Sequence, residues 1–174
     1  MVEIFKSKEE KVPFWQFTSR QVGVAAAFGG LGFAARSLGL SIPLGGTHMW
    51  DPRIISEGVG AALAGPAGAI VIGILDGLPG VPPTVNIPYA LTKALVVAIF
   101  FRYLKFPAAL VSFWIAEFAS FFVAAYLLVN VYKFLTFPVY LGIMTFDFIV
   151  NPIINTVLLY SLRRASPTVN RMVG

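Results

Sequence analysis

The sequence predicts an all-α membrane protein with six transmembrane helices, the second and third of them short. Three observations predict it. Apolar residues make up 57% of the 174 residues and charged residues 12%, and a mean hydropathy of +0.81 lies beyond the range of a soluble domain of this size. The apolar runs are divided by glycine and proline joints, "AGPAG", "LPGVPPTVNIP", "KFP" and "TFP". The charges, net +5, gather at the ends and joints, as topology signals do. They form no basic stripe on which nucleic acid would lie. With no cysteine, disulfides, thiolate nucleophiles and cysteine metal sites are excluded.

Residues 1–16, opening "MVEIFKSKEEKVPFW", form a charged N-terminal segment without the apolar core and small-residue cleavage site of a signal peptide. The membrane domain is 17–164 and the tail 165–174. Its first helix runs from about Phe17 to Leu38. The second spans Arg53 to Gly65, capped by Asp51 with Pro52 in the first helical position. The third is Ala67–Leu78, the fourth Ile87–Leu104, the fifth Pro107–Leu135 and the sixth Pro138–Arg163. Helices of the second and third kind reach only about 18–20 Å, against a hydrocarbon core of about 30 Å. They must be shielded by the longer helices or re-enter the same face. Their glycine and alanine content, "EGVGAALAGPAGAIVIG", permits the close backbone approach such a pair needs.

Six spans put both termini on one side. That side holds Lys6, Lys8, Lys11, Arg20, Arg102, Lys105, Arg163, Arg164 and Arg171, while the other holds Arg36, Arg53 and Lys133. Nine against three assigns the termini to the cytoplasm of a multi-pass cell-membrane protein. The longest outer connection is then "GLSIPLGGTHMWD", Gly39 to Asp51.

The stretch "TFDFIVNPIINTVLL" places Asp147, Asn151 and Asn155 at steps of four, on one helical stripe. A carboxylate in hydrocarbon costs several kcal/mol unless paired or solvated, so the stripe faces protein or a wet cavity. Pro152 removes a backbone N–H and leaves the Phe148 carbonyl as an acceptor beside it. Lys93 and Tyr89 are one turn apart in the fourth helix, with Asn86 on the same side. Glu117 lies mid-fifth helix beside Trp114 and Ser120. These residues define an outward-opening polar pocket with aromatic walls; a structural Lys93–Asp147 or Lys93–Glu117 tie is the alternative. In the outer loop, Trp50 and His48 are candidate ligand caps, although a loop tryptophan is more commonly a headgroup anchor. Arg53 and Glu57 read as a local pair one turn apart, and Asp76 as a loop-facing charge. One histidine without a second histidine or a cysteine is a poor metal site, so no metal is assigned.

The first helix carries Ala26, Gly30 and Ala34 at steps of four, a flat face that suits either internal packing or another helix. No Ser–His–Asp set, phosphate loop, HExxH or haem ligand pair is present. No catalytic residue and no cofactor is therefore assigned.

The arrangement resembles the substrate-binding S components of energy-coupling factor (ECF) transporters, the vitamin-uptake branch of ABC transporters. The likeness covers nearly the whole chain: six spans, an alanine-rich first helix, a long outer loop and "DPRIISEGVGAALAGPAGAIVIGILDGLPG", similar to the family's second and third helices. "FDFIVNPIINTVLLYSLRR" is similar to the last helix, with Pro152 a departure. The resemblance implies a non-enzymatic subunit that binds a vitamin-sized molecule from outside, between the outer halves of helices four to six. It implies a transmembrane scaffold (T) subunit and two cytoplasmic ATPase subunits as partners, with Ala26, Gly30 and Ala34 as the scaffold-docking face. Two other readings stay open: a small structural subunit of a larger membrane complex, and a stand-alone small-molecule or ion carrier.

Overall fold

The computed structural model describes residues 13–40, 42–45, 48–80 and 82–173. It is an all-α membrane protein. Helix α1 is Ser19–Ser37, and the helical run Arg53–Gly77 divides into α2 (53–64) and α3 (66–77). There follow α4, Pro83–Tyr103, α5, Ala108–Val131, and α6, Phe137–Ala165. By length and composition alone, four runs among the described residues, Arg53–Gly77 and α4 to α6, suffice to cross a membrane, and the first of them is folded back on itself.

Local chemistry sets the ends. Thr18 and Gln21 form a capping box at the start of α1: the Gln21 N–H donates to Thr18 Oγ1 and the Thr18 N–H to Gln21 Oε1. Asp51 caps α2 as its sequence predicts, its Oδ1 accepting from the Arg53 N–H at 3.0 Å. Pro83 and Pro138 sit in the first turns of α4 and α6, where no N–H partner is needed. Helix α6 runs through Pro152 without ending.

The division of Arg53–Gly77 is a fold-back. In one straight helix Ser56 and Asp76 would stand about 30 Å apart. Instead the Ser56 hydroxyl touches the Asp76 carboxyl, and Arg53 Nη1 lies 3.5 Å from the Asp76 carbonyl. The reversal is at Gly65, φ 69° and ψ 179°, a conformation open only to glycine. Pro66 follows and starts α3. The short second and third helices of the sequence reading are thus an antiparallel pair.

That hairpin is the centre of the molecule. Of its most apolar window 72% is buried, against 18% for α6. Glycines bring it to backbone contact on both sides. A Cβ at Gly73 would stand 2.6 Å from the Leu91 Cα of α4, and one at Gly60 would stand 2.7 Å from the Phe28 Cβ of α1. One apolar cluster gathers Leu63, Val97, Phe101, Ala109, Phe113 and Leu159 toward the hairpin tip. A second, with Val85, Tyr89, Phe121, Ala124 and Tyr140, fills the opposite end between α4, α5 and α6.

Two elements depart from the sequence reading. The connection between α1 and α2 contains a two-stranded antiparallel hairpin, β1 (Ile42–Gly45) and β2 (His48–Trp50), pairing Ile42 with Trp50. It is the only β structure among the described residues. The tail forms a helix, α7 (Pro167–Val173), which folds back so that Val173 is fully buried with Phe101 and Ala109.

Candidate functional site

Five elements meet around a buried chain of charges. Lys93 lies midway along α4 and is 1% exposed. Its Nζ pairs with Glu117 of α5 and lies 3.4 Å from Glu57 Oε2 of α2. Glu57 also faces Arg53 at 3.7 Å. Arg53 reaches Asp51 at 3.1 Å and Asn86 Oδ1 at 3.3 Å. Asp51 in turn holds Arg36 of α1 at 3.0 Å. The Tyr89 ring lies beneath both cations, 5.8 Å from the Arg53 guanidinium and 5.7 Å from Lys93 Nζ. Burying such charges is tolerable only because each cation has a carboxylate within reach.

Glu57 is where it is because α2 widens to a π-helical turn over Ser56–Gly60. Such turns disturb the usual backbone pairing and often occur at functional sites. Here Asn155 of α6 accepts from the Val59 N–H at 3.3 Å. Gly58 makes room for it, since a Cβ there would stand 2.6 Å from Asn155 Nδ2. The polar stripe of α6 therefore faces protein. Asn151 and Asn155 are each 1% exposed, and Asn155 Nδ2 donates to the Asn151 carbonyl at 3.0 Å. Asp147, one turn earlier, is half-buried.

The α1–α2 connection closes over this end. The Trp50 indole Nε1 donates to Asn151 Oδ1 at 3.1 Å, joining β2 to α6. Of the residues singled out in sequence, the structure brings Lys93, Tyr89 and Glu117 into one cluster, with Asp147, Asn151 and Trp50 at its edge. The His48 side chain lies outside the described residues. Trp114 is not brought in: it is 44% exposed on the other face of α5. There it lines an apolar groove of about 530 Å³ with Ile115, Phe118, Ala119 and Phe148. Helical spacing put it beside Glu117, but three residues along a helix is also far enough to turn away from a buried neighbour.

Two sequence readings need correction, and a third residue turns out to be fully engaged. The Arg53–Glu57 pair is not merely local, since Glu57 also holds Lys93. Asp76 faces no loop: it is fully buried between α1 and α2, with Gly32 against its carboxyl. Lys93 already serves two carboxylates, so it offers no open cation to an anionic ligand. A signal for the first two was present, because both acids lie in glycine- and alanine-rich helices whose small neighbours invite burial on every side.

The face of α1 away from the hairpin is different in kind. Ala26, Gly30 and Ala34 are all exposed, and nothing stands within 4 Å of a Cβ placed at Gly30. Packing inside the chain uses another row, Ala25, Gly29, Gly32 and Ala35. No protein-family model matches this chain, and no curated protein or solved structure matches it.

Proposed function

We propose that this chain is the membrane-embedded substrate-capturing subunit of an energy-coupling factor importer. The observation that carries the reading is the Trp50–Asn151 bond, which seats a loop as a cover over a polar cluster inside a helical membrane domain. In this reading the covered end faces outside and both termini face the cytoplasm, in keeping with the nine-to-three bias of basic residues. A vitamin-sized solute enters beneath the loop, beside Asp147, Asn151, Tyr89 and Tyr140. With Lys93 engaged by Glu57 and Glu117, the accessible edge favours a ligand rich in hydrogen-bond donors or positive charge. The exposed row Ala26, Gly30 and Ala34 is the face for a scaffold-subunit helix, for small residues admit close helix approach. Two cytoplasmic ATPase subunits complete the importer, and the chain itself is neither an enzyme nor the holder of a cofactor.

Mass spectrometry of small molecules extracted from the purified chain, together with identification of copurifying subunits, tests the reading. A retained ring compound and an associated ATPase support it. Uptake into vesicles by this chain alone overturns it in favour of a stand-alone carrier. Tight association with a complex that contains no ATPase favours a structural subunit.

A further inference from the structure

The Ser56–Asp76 contact raises a question of proton count. The Ser56 Oγ lies 2.6 Å from the Arg53 carbonyl oxygen, which can only accept. A hydroxyl has one hydrogen, and that carbonyl takes it. The same Oγ also touches Asp76 Oδ2. An ionised carboxylate is an acceptor only, so an ionised Asp76 would set two acceptor oxygens against each other there.

Two further observations agree. Asp76 Oδ1 is buried with no hydrogen-bond partner among the described residues. The Asp76 carboxyl also has no ion-pair partner within 4.0 Å among them. The ion pairs among the described residues join Asp51, Glu57 and Glu117 to Arg36, Arg53 and Lys93, and none of them includes Asp76. A fully buried carboxylate without a cation and with one oxygen bare is among the costliest arrangements in a protein.

We propose that Asp76 is a proton-binding site: it is held as a neutral carboxylic acid at neutral pH, donating through Oδ2 to Ser56 Oγ, which donates to the Arg53 carbonyl. Both polar contacts are then donor to acceptor, and only a neutral carbonyl oxygen stays bare. The proton joins the outer ends of α2 and α3, with Gly32 of α1 packed against the joint. The charged groups around it are Arg53, Glu57 and Asp51, with Arg36 beyond Asp51 and Asn86 facing Arg53 from α4. Removing the proton leaves a new negative charge near Glu57 and Asp51, and draws Arg53 away from Asp51. The α1–α2 connection then loses its tie to α2 through Arg53 and keeps those to Arg36 and Asn151. The α2–α3 mouth is thus closed by a proton and loosened by its loss.

Infrared spectroscopy of the purified full-length protein at neutral pH tests this. The expected result is the carbonyl stretch of a protonated carboxyl, shifted by exchange into D₂O and lost in Asp76→Asn. The amide of that variant keeps a donor for Ser56, so the fold is expected to persist. Ser56→Ala, which removes the acceptor, should move the band to higher frequency. It decides the matter even if Asp76→Asn does not accumulate. Absence of the band in the wild type overturns the proposal. So does a band that survives Asp76→Asn, which puts the proton on another acid, or one that Ser56→Ala leaves unmoved.

Discussion

Trp50 and Asn151, 101 residues apart in sequence, share a hydrogen bond of 3.1 Å that ties the loop hairpin to the last long helix. Asn151 is 1% exposed, so its oxygen has little water to turn to when that donor is removed. Trp50→Phe should keep the fold and cost about 1–3 kcal/mol, the usual range for a buried group left unsatisfied. Hydrogen exchange should then quicken in 42–50 and at the start of α2, and little elsewhere. Unchanged exchange in that loop would show that strand pairing alone holds it.

Lys93 is the hub of the buried charges. Lys93→Met leaves Glu117 without a cation and Glu57 with Arg53 alone, and should lower stability by about 3–5 kcal/mol. Adding Glu57→Gln and Glu117→Gln should recover most of that loss, since neutral amides satisfy one another. Thermal unfolding of the single and triple variants in detergent makes the comparison. A single variant as stable as the wild type would mean that water reaches the cluster.

Gly58 and Gly30 predict opposite outcomes for the same substitution. Gly58→Ala drives a methyl group into the Asn155 amide and should destabilise by about 1–3 kcal/mol, the range for overpacking. Gly30→Ala meets nothing within 4 Å and should be neutral or stabilise by about 0.5–1 kcal/mol through helix propensity. Melting temperatures of the two variants separate a glycine kept for contact inside the chain from one that is not.

Gly30→Leu, by contrast, adds bulk to the exposed row of α1. It should leave thermal stability and ligand retention as they are and reduce copurification of a scaffold subunit several-fold. Equal recovery of partners with the wild type and the leucine variant would remove docking from this face.

The fold was largely legible in the sequence, because the signals that set it are local. Apolar runs, the Asp51–Pro52 cap and the "AGPAG" joint gave six segments and the short pair. The stripe of α6 followed from helical spacing alone, and Asn151 and Asn155 are indeed turned inward. What was not legible depended on pairing across the chain. Glu57 and Asp76 acquire their roles only when α2 folds back on α3 and meets α4. Whether Trp114 or Glu117 faces inward depends on the rotation of α5 about its axis. The small hairpin of β1 and β2 gave no alternating apolar pattern to read, and α7 lies in a stretch too short and polar to announce a helix.

The fold-back at Gly65 also bears on how the chain enters a membrane during synthesis. Each limb is about 18 Å long, too short to stay in a bilayer as a span of its own. One limb carries Glu57 and the other ends on Asp76, and an acidic group without a partner is costly in hydrocarbon. Neither limb is therefore a stable intermediate alone. The pair has to leave the insertion machinery together, and Glu57 obtains Lys93 only after α4 has been made. The centre of the domain is thus committed late, after the ribosome has passed the residues that will surround it.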